Sequence, residues 1–317
     1  LKLKDIYKIC IDEGIKTDLR KKDQINKYLL NKKKEYKSLE SNLKKFFDKE
    51  SLTNPYSDTR ILFGSLTKDI KRVLVGIDID PSEILLADRL AQKGKTVDLV
   101  LAHHPEGRAW ASFYDVMNLQ TDVLSNLGIE LDVAKDLMDK RIDKVSRRVH
   151  GSNHQRSTDV ARLLKMPFMC CHTPADNHVA SFLQKMMDKT KPMTLKAVVS
   201  FLLKEPEYKE AAFNNAGPKI LIGNPKDKAG KVFVDMTGGT EGSKDIFPRM
   251  SQLGIKTLVC MHLSEEHFKK AKSEYLNVII AGHIASDNLG INLLLDKVTK
   301  KEKLDILECS GYRRFKR

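Results

Sequence analysis

Residues Thr96–Arg108 read TVDLVLAHHPEGR, and the fold follows from how that stretch is understood. Val97, Leu99, Val100 and Leu101 are too densely apolar for a half-exposed strand. They imply a strand covered on both faces, the usual condition of a parallel sheet. The strand breaks at His103-His104-Pro105. Neighbouring side chains of a regular strand point to opposite faces, so an adjacent His pair serves one site only where the strand gives way to a loop, and Pro105 supplies that break. Taken alone, these residues favour a loop pair with no ligand over half of a metal site.

Working outward, the 317 residues are 41% apolar, enough for one large or two modest domains with a real core. No charged leader followed by an apolar segment is present. No apolar run approaches membrane-spanning length, so a soluble protein without a membrane partner is expected. The five cysteines include no C-x-x-C pair, which argues against a disulfide framework and suits a reducing cytoplasm. The net charge of +14 comes mostly from dispersed Lys. A specific nucleic-acid face more often shows Arg with interleaved aromatics, so nucleic-acid binding, if present, is expected to be non-specific.

Residues 1–66 read as an N-terminal helical arm and linker. Leu3, Ile6, Tyr7 and Cys10 keep helical spacing up to Gly14, a candidate C-cap. A second helix is expected after Asp23, with an apolar stripe continuing through Tyr36, Leu39, Leu43 and Phe46. The stripe suggests packing on the body or on a neighbouring subunit. Ser51–Ser65 reads as the linker, with Asn54-Pro55 as a turn signal. Residues 67–317 read as an α/β core. LVGIDIDPSEILLADRLAQKGKTVDLVLAHH and VFVDMTGGTEGSKDIFPRMSQLGIKTLVCMH share the order strand with Asp, turn, helix ending in Gly, strand, His. Asp78 to His103 spans 25 positions and Asp235 to His262 spans 27, so an internal duplication into two related α/β/α halves is expected.

Three apolar strands end in ligand-capable residues: His103/His104, His172/Asp176 and His283/Asp287. A helical turn after the last strand would bring His283 and Asp287 to one face, whereas Pro174 argues against a simple helical turn after the second. Ligands of α/β sheets bind where strand ends converge. Mixed imidazole and carboxylate donors suit zinc, iron or manganese, and their number favours two ions.

LAHHP, CHTPAD and AGHIASD, in that order, resemble the Nif-three-like family, also known as GTP cyclohydrolase I type 2 homologues. The resemblance runs from about Arg72 to the end. It implies two similar α/β/α halves, a dinuclear divalent-metal site in the cleft between them, and a ring-shaped hexamer. By that resemblance His103, His104, Asp176 and His283 are metal ligands. Asp287 stands where the family usually carries the longer Glu. Of the carboxylates, Asp176 is expected to bridge the ions, because it enters from a separate loop.

Beside these, His172 reads equally as a ligand or a turn-stabilising group. His178, His262 and His267 could line the cleft as catalytic proton carriers, although histidines near helices are more often surface or core residues. Gly238–Ser243 could offer backbone N–H groups to a phosphate, yet it fits no phosphate-loop fingerprint and reads more safely as a flexible turn. Arg108 and Trp110 could contact a substrate. Two functions compete: a metal-dependent hydrolase of a nucleotide-like or phosphate-bearing small molecule, GTP cyclohydrolase chemistry being one instance, and a metal-containing scaffold or regulatory protein with non-specific nucleic-acid binding.

Overall fold

The computed structural model describes all 317 residues. The chain begins with α1 (Leu3–Thr17) and α2 (Lys22–Ser38), followed by β1 (Arg60–Phe63), β2 (Arg72–Gly76), α3 (Pro81–Gln92) and β3 (Leu99–Ala102). A helical excursion of α4 (Gly107–Ala111), α5 (Asn118–Asn126), α6 (Leu131–His150) and α7 (Arg156–Leu163) leads to β4 (Phe168–Cys170) and α8 (Thr173–Thr190). The second half holds α9 (Leu195–Leu202), α10 (Pro206–Phe213), β5 (Lys219–Ile222), β6 (Lys231–Asp235), α11 (Phe247–Gln252), β7 (Ile255–Cys260), α12 (Glu265–Ser273), β8 (Asn277–Ile280) and α13 (His283–Thr299). β9 (Asp305–Glu308) returns to the first sheet.

The two sheets have the orders β1-β4-β3-β2-β9 and β5-β8-β7-β6. In each, an antiparallel edge strand pairs with the strand that precedes a long helix, and the other pairings are parallel. Both edge strands carry a register shift at the same place, between Ile61 and Phe63 and between Ile220 and Ile222. The duplication is therefore a feature of topology as well as of sequence. Its register corrects the expected alignment, however. Gly76 pairs with Ala102 and Asp235 with Cys260, so His262 corresponds to His104 and Asp235 to Gly76 rather than to Asp78.

Alternation along the strands builds the layers. Val73 and Val75 face a core shared with Ala175 of α8 and Ile291, Leu294 and Leu295 of α13, while Leu74 faces Ile84 and Ala87 of α3. In the second sheet Val232, Val234 and Val259 meet Val179 and Leu183 of α8 and Leu289 of α13. Phe233 and Leu258 face outward towards α5 and α6. The helix pair α8–α13 thus lies between the sheets as a shared middle layer. The two helices approach closely: a Cβ on Gly290 would stand 2.5 Å from the carbonyl oxygen of Ala175.

Several local expectations change. β1 lies within the stretch read as a linker; Asn54 and Tyr56 are buried there, and the strand pairs with β4. α1 runs past Gly14, because the glycine lets α8 approach; an added Cβ would sit 2.6 Å from Pro174 Cβ. Leu3, Ile6 and Cys10 join the first sheet's core. α2 stops at Ser38, whose hydroxyl donates to the Glu35 carbonyl at 2.9 Å, and the stripe beyond it stays outside the core, with Phe46 77% exposed. Pro174 does not break the backbone but sits in the first turn of α8, where its missing N–H costs nothing.

Candidate metal centre

Strands β3 and β4 end next to each other in the first sheet and β8 ends in the second, and α8 and α13, which follow β4 and β8, begin there, so strand ends and first helical turns deliver polar groups to one place. The His103 and His104 amides extend the ladder by donating to the carbonyls of Gly76 and Ile77 at 2.9 and 3.0 Å. His103 Nδ1 lies 3.2 Å from the Cys171 carbonyl, which favours a proton on Nδ1 and leaves Nε2 facing Asp176 Oδ1 and Asp287 Oδ1, each at 3.4 Å. His104 repeats the arrangement: Nδ1 meets Asp78 at 2.6 Å, and Nε2 faces Asp287 Oδ2 at 3.3 Å. His172 does so a third time, with Nδ1 on Asp58 at 2.8 Å and Nε2 3.6 Å from Asp176 Oδ2. His283 Nε2 completes the ring at 3.4 Å from Asp287 Oδ2.

All five residues expected to bind metal come together, with His172 beside them. Their donor atoms form three mutually close groups: His103 with Asp176 and Asp287, His104 with His283 and Asp287, and His103 with His104 and His172. Asp287 belongs to two of them. The position facing both donor groups is therefore its own and not that of Asp176, whose second oxygen looks towards His172. Short as it is, the Asp287 side chain reaches three imidazoles, those of His103, His104 and His283.

The chemistry of these donors fits a cation. His103 Nε2, Asp176 Oδ1 and both Asp287 oxygens are buried without a hydrogen-bond partner. Native interiors rarely leave such atoms unpaired, and carboxylates least of all. Burial opposes charge on His103 and His104, yet Asp287 and its neighbouring carboxylates carry them to about 10 and about 9. Burial would raise Asp287 as well, but the imidazoles hold it far below the ordinary carboxylate range. The site demands positive charge, which protons or divalent ions can supply. Three of the imidazoles, His103, His104 and His172, are fixed through Nδ1 by a carbonyl or a carboxylate, the supporting arrangement that metal-binding histidines use.

A cavity of about 90 Å³ opens beside His172, Asp176 and His283 and runs to the ends of β6 and β7. Leu119, Val123, Phe247 and Met250 form its apolar wall; Asp235, Glu241, His262 and His267 form its polar one. No Lys or Arg lines it. The His262 ring centroid lies 5.0 Å from that of His283, and its Nδ1 is 3.4 Å from Glu241. Glu241 accepts from the Ser264 amide at 2.6 Å, and His262 and His267 draw it down to about 2 against the effect of burial. His267 is tied to Ser264 and the Gly242 carbonyl. His178 is buried on α8 outside the cavity, where burial lowers it to about 4.

The glycine loop is held rather than flexible. Gln120 donates to the carbonyls of Gly238 and Thr240, both at 2.7 Å, and a Cβ on Gly242 would meet the Gln120 side chain at 2.4 Å. Arg108 turns away from the cluster to Glu50 and the Ile61 carbonyl, and Trp110 packs on Phe113. Asp58, Asp78 and Glu241, the carboxylates behind the histidines, were not legible as site residues. Asp78 stood out only through its spacing to a histidine, and Asp58 falls inside the stretch read as the linker.

The fold and site define a two-lobed α/β protein with a buried His/Asp cluster at its lobe junction. The chain is similar to a NIF3 superfamily protein from Sphaerobacter thermophilus, 28% identical with a TM-score of 0.70 over 80% of this chain and 91% of that one. That likeness supports the resemblance to the Nif-three-like family carried by the three motifs. It shares its fold with reduced HcgD from Methanocaldococcus jannaschii, 13% identical with a TM-score of 0.51 over 84% of this chain and 94% of that one. No family model and no curated protein matches it. No helix is long and apolar enough to cross a membrane.

Proposed function

We propose that this protein is a metal-dependent hydrolase of a small molecule, holding two divalent ions through His103, His104, Asp176, His283 and Asp287. The convergence of four unpartnered buried donor atoms on one point carries this reading. His103 and Asp176 would hold one ion and His104 and His283 the other, with Asp287 within reach of both donor groups. Bound ions of zinc, iron or manganese type supply Lewis acidity and lower the pKa of water. The protein's own groups do the rest. Asp78 and the Cys171 carbonyl keep Nδ1 of the paired histidines occupied, and the cavity's apolar wall orients a ligand while excluding water. His262, steadied by Glu241, stands beside His283 where it can hold and move a proton.

The cavity favours an enzyme over a scaffold, since a purely structural ion needs no chamber next to it. It also narrows the substrate. A phosphate group would find no Lys or Arg in the lining and would depend on the ions and imidazoles for its countercharge, so a compact, largely uncharged molecule suits it better than a nucleoside triphosphate. The same proposal includes a homo-oligomeric assembly in the cytoplasm, checked by light scattering and fractionation.

The test is metal content by plasma emission after loading and dialysis, coupled to turnover of a panel of small amides, lactams and esters with and without chelator. About two ions per chain, chelator-sensitive turnover, and a His262→Ala chain that keeps its metal but loses turnover are expected. A wild-type chain that retains no divalent ion overturns the reading.

A further inference from the structure

Asp58 is the least expected group near the cluster. It is fully buried, carries a charge, and lies ahead of an edge strand in what reads as connecting sequence. The pairing of β1 with β4 explains its position. Arg60 stands opposite Cys170 in antiparallel register, so two residues further along, Asp58 comes to lie opposite His172. The contact is knitted on both sides. His172 Nδ1 is 2.8 Å from Asp58 Oδ2, the Thr173 hydroxyl donates to the same oxygen at 2.5 Å, and the His172 amide donates to Thr59 Oγ1 at 3.2 Å.

A buried carboxylate is costly, and no Lys or Arg pairs with this one; an amide or a hydroxyl would satisfy a purely structural contact at lower cost. What a carboxylate does better is fix a neighbouring imidazole in one tautomer. With Nδ1 engaged, His172 Nε2 faces Asp176, and its ring centroid lies 4.8 Å from that of His103. We infer that Asp58 is a positioning residue of the metal centre, holding His172 as the Nδ1–H tautomer so that Nε2 serves as a further nitrogen donor. This rests on the metal-dependent reading above, and it places one determinant of the site in the segment that joins the N-terminal helices to the sheet.

The experiment uses the full chain with ¹⁵N-labelled histidine, free of metal, and long-range ¹H–¹⁵N correlation to read the His172 tautomer in wild type, Asp58→Asn and Asp58→Ala. Zinc affinity is measured on the same samples by competition with a chromophoric chelator. The expected result is Nδ1–H in wild type, loss of that preference in Asp58→Ala, and zinc affinity reduced about 10- to 100-fold in both variants. An unchanged tautomer together with unchanged zinc affinity overturns the inference. If the Asp58 variants fail to fold, His172→Gln decides: a loss of similar size supports it, and wild-type affinity overturns it. A wild-type chain that binds no zinc defeats the metal-dependent reading instead, and the tautomer comparison then decides whether Asp58 orients His172.

Discussion

Asp287 Oδ2 lies 3.3 Å from His104 Nε2, although the two residues stand in different halves of the chain. The same carboxylate reaches His103 and His283, so one side chain in the second turn of α13 collects imidazoles from β3 and from its own helix. Its removal should be the most damaging single change at the site. Asp287→Ala is expected to lose both ions, Asp176→Ala mainly the one shared with His103, and His283→Ala mainly the other. Plasma emission on dialysed variants, with circular dichroism as the folding control, checks the order; equal retention in all three contradicts it.

The separation of α8 and α13 sets how far apart Asp176 and Asp287 stand. Gly290→Ala forces a methyl against the Ala175 carbonyl, one residue before Asp176. Overpacking of this kind costs about 1–3 kcal/mol. The variant should melt earlier and also bind zinc more weakly, whereas a lower melting temperature with full affinity would detach the helix spacing from the site.

The two N-terminal helices should behave differently. Ile6 is buried in the core of the first sheet, and Ile6→Ala should cost about 2–5 kcal/mol in denaturant titration. Leu30 on α2 is half exposed, and Leu30→Ala should stay within about 0.5 kcal/mol. A comparable loss from both would mean that α2 is covered in solution, as by a second copy.

Asp235 supplies a pH dependence outside the metal ligands. Burial, and then Glu241, raise its carboxyl from 3.8 to about 6. The folded chain therefore holds that proton more tightly than the unfolded chain does, so this group lowers stability as pH rises from about 4 to 6 and keeps it lowered above that. Asp235→Asn should be more stable than wild type at pH 7 by about 3 kcal/mol, with most of that difference gone at pH 4. Parallel denaturant curves at the two pH values measure it, and a pH-independent difference would refute the assignment.

Legibility in the sequence followed the strength of the local pattern. Leu99–Ala102, flanked by His103 and His104, announced a buried strand and its break, and all four strand residues are buried. The helical spacing of His283 and Asp287 places them on one face. β1 was hidden because it is a four-residue edge strand in a stretch rich in turn signals, and only its pairing with Phe168–Cys170 makes it a strand. The α2 stripe misled for the opposite reason: apolar spacing shows which face could pack, but supplies nothing for it to pack on. Asp58 and Glu241 act through histidines 114 and 21 residues away, and such pairs depend on tertiary register alone.

His104 and His262 each fall two residues beyond the end of corresponding strands, β3 and β7. In one copy of the unit the imidazole is backed by Asp78 and turned into the cluster; in the other Thr237 replaces that aspartate, and Glu241 takes over from the neighbouring loop. At this position the two copies have thus diverged, one imidazole turned into the cluster and the other lining the chamber beside it. Neither can deputise for the other, so a lesion at either histidine is not buffered by the redundancy that a duplicated scaffold outwardly suggests.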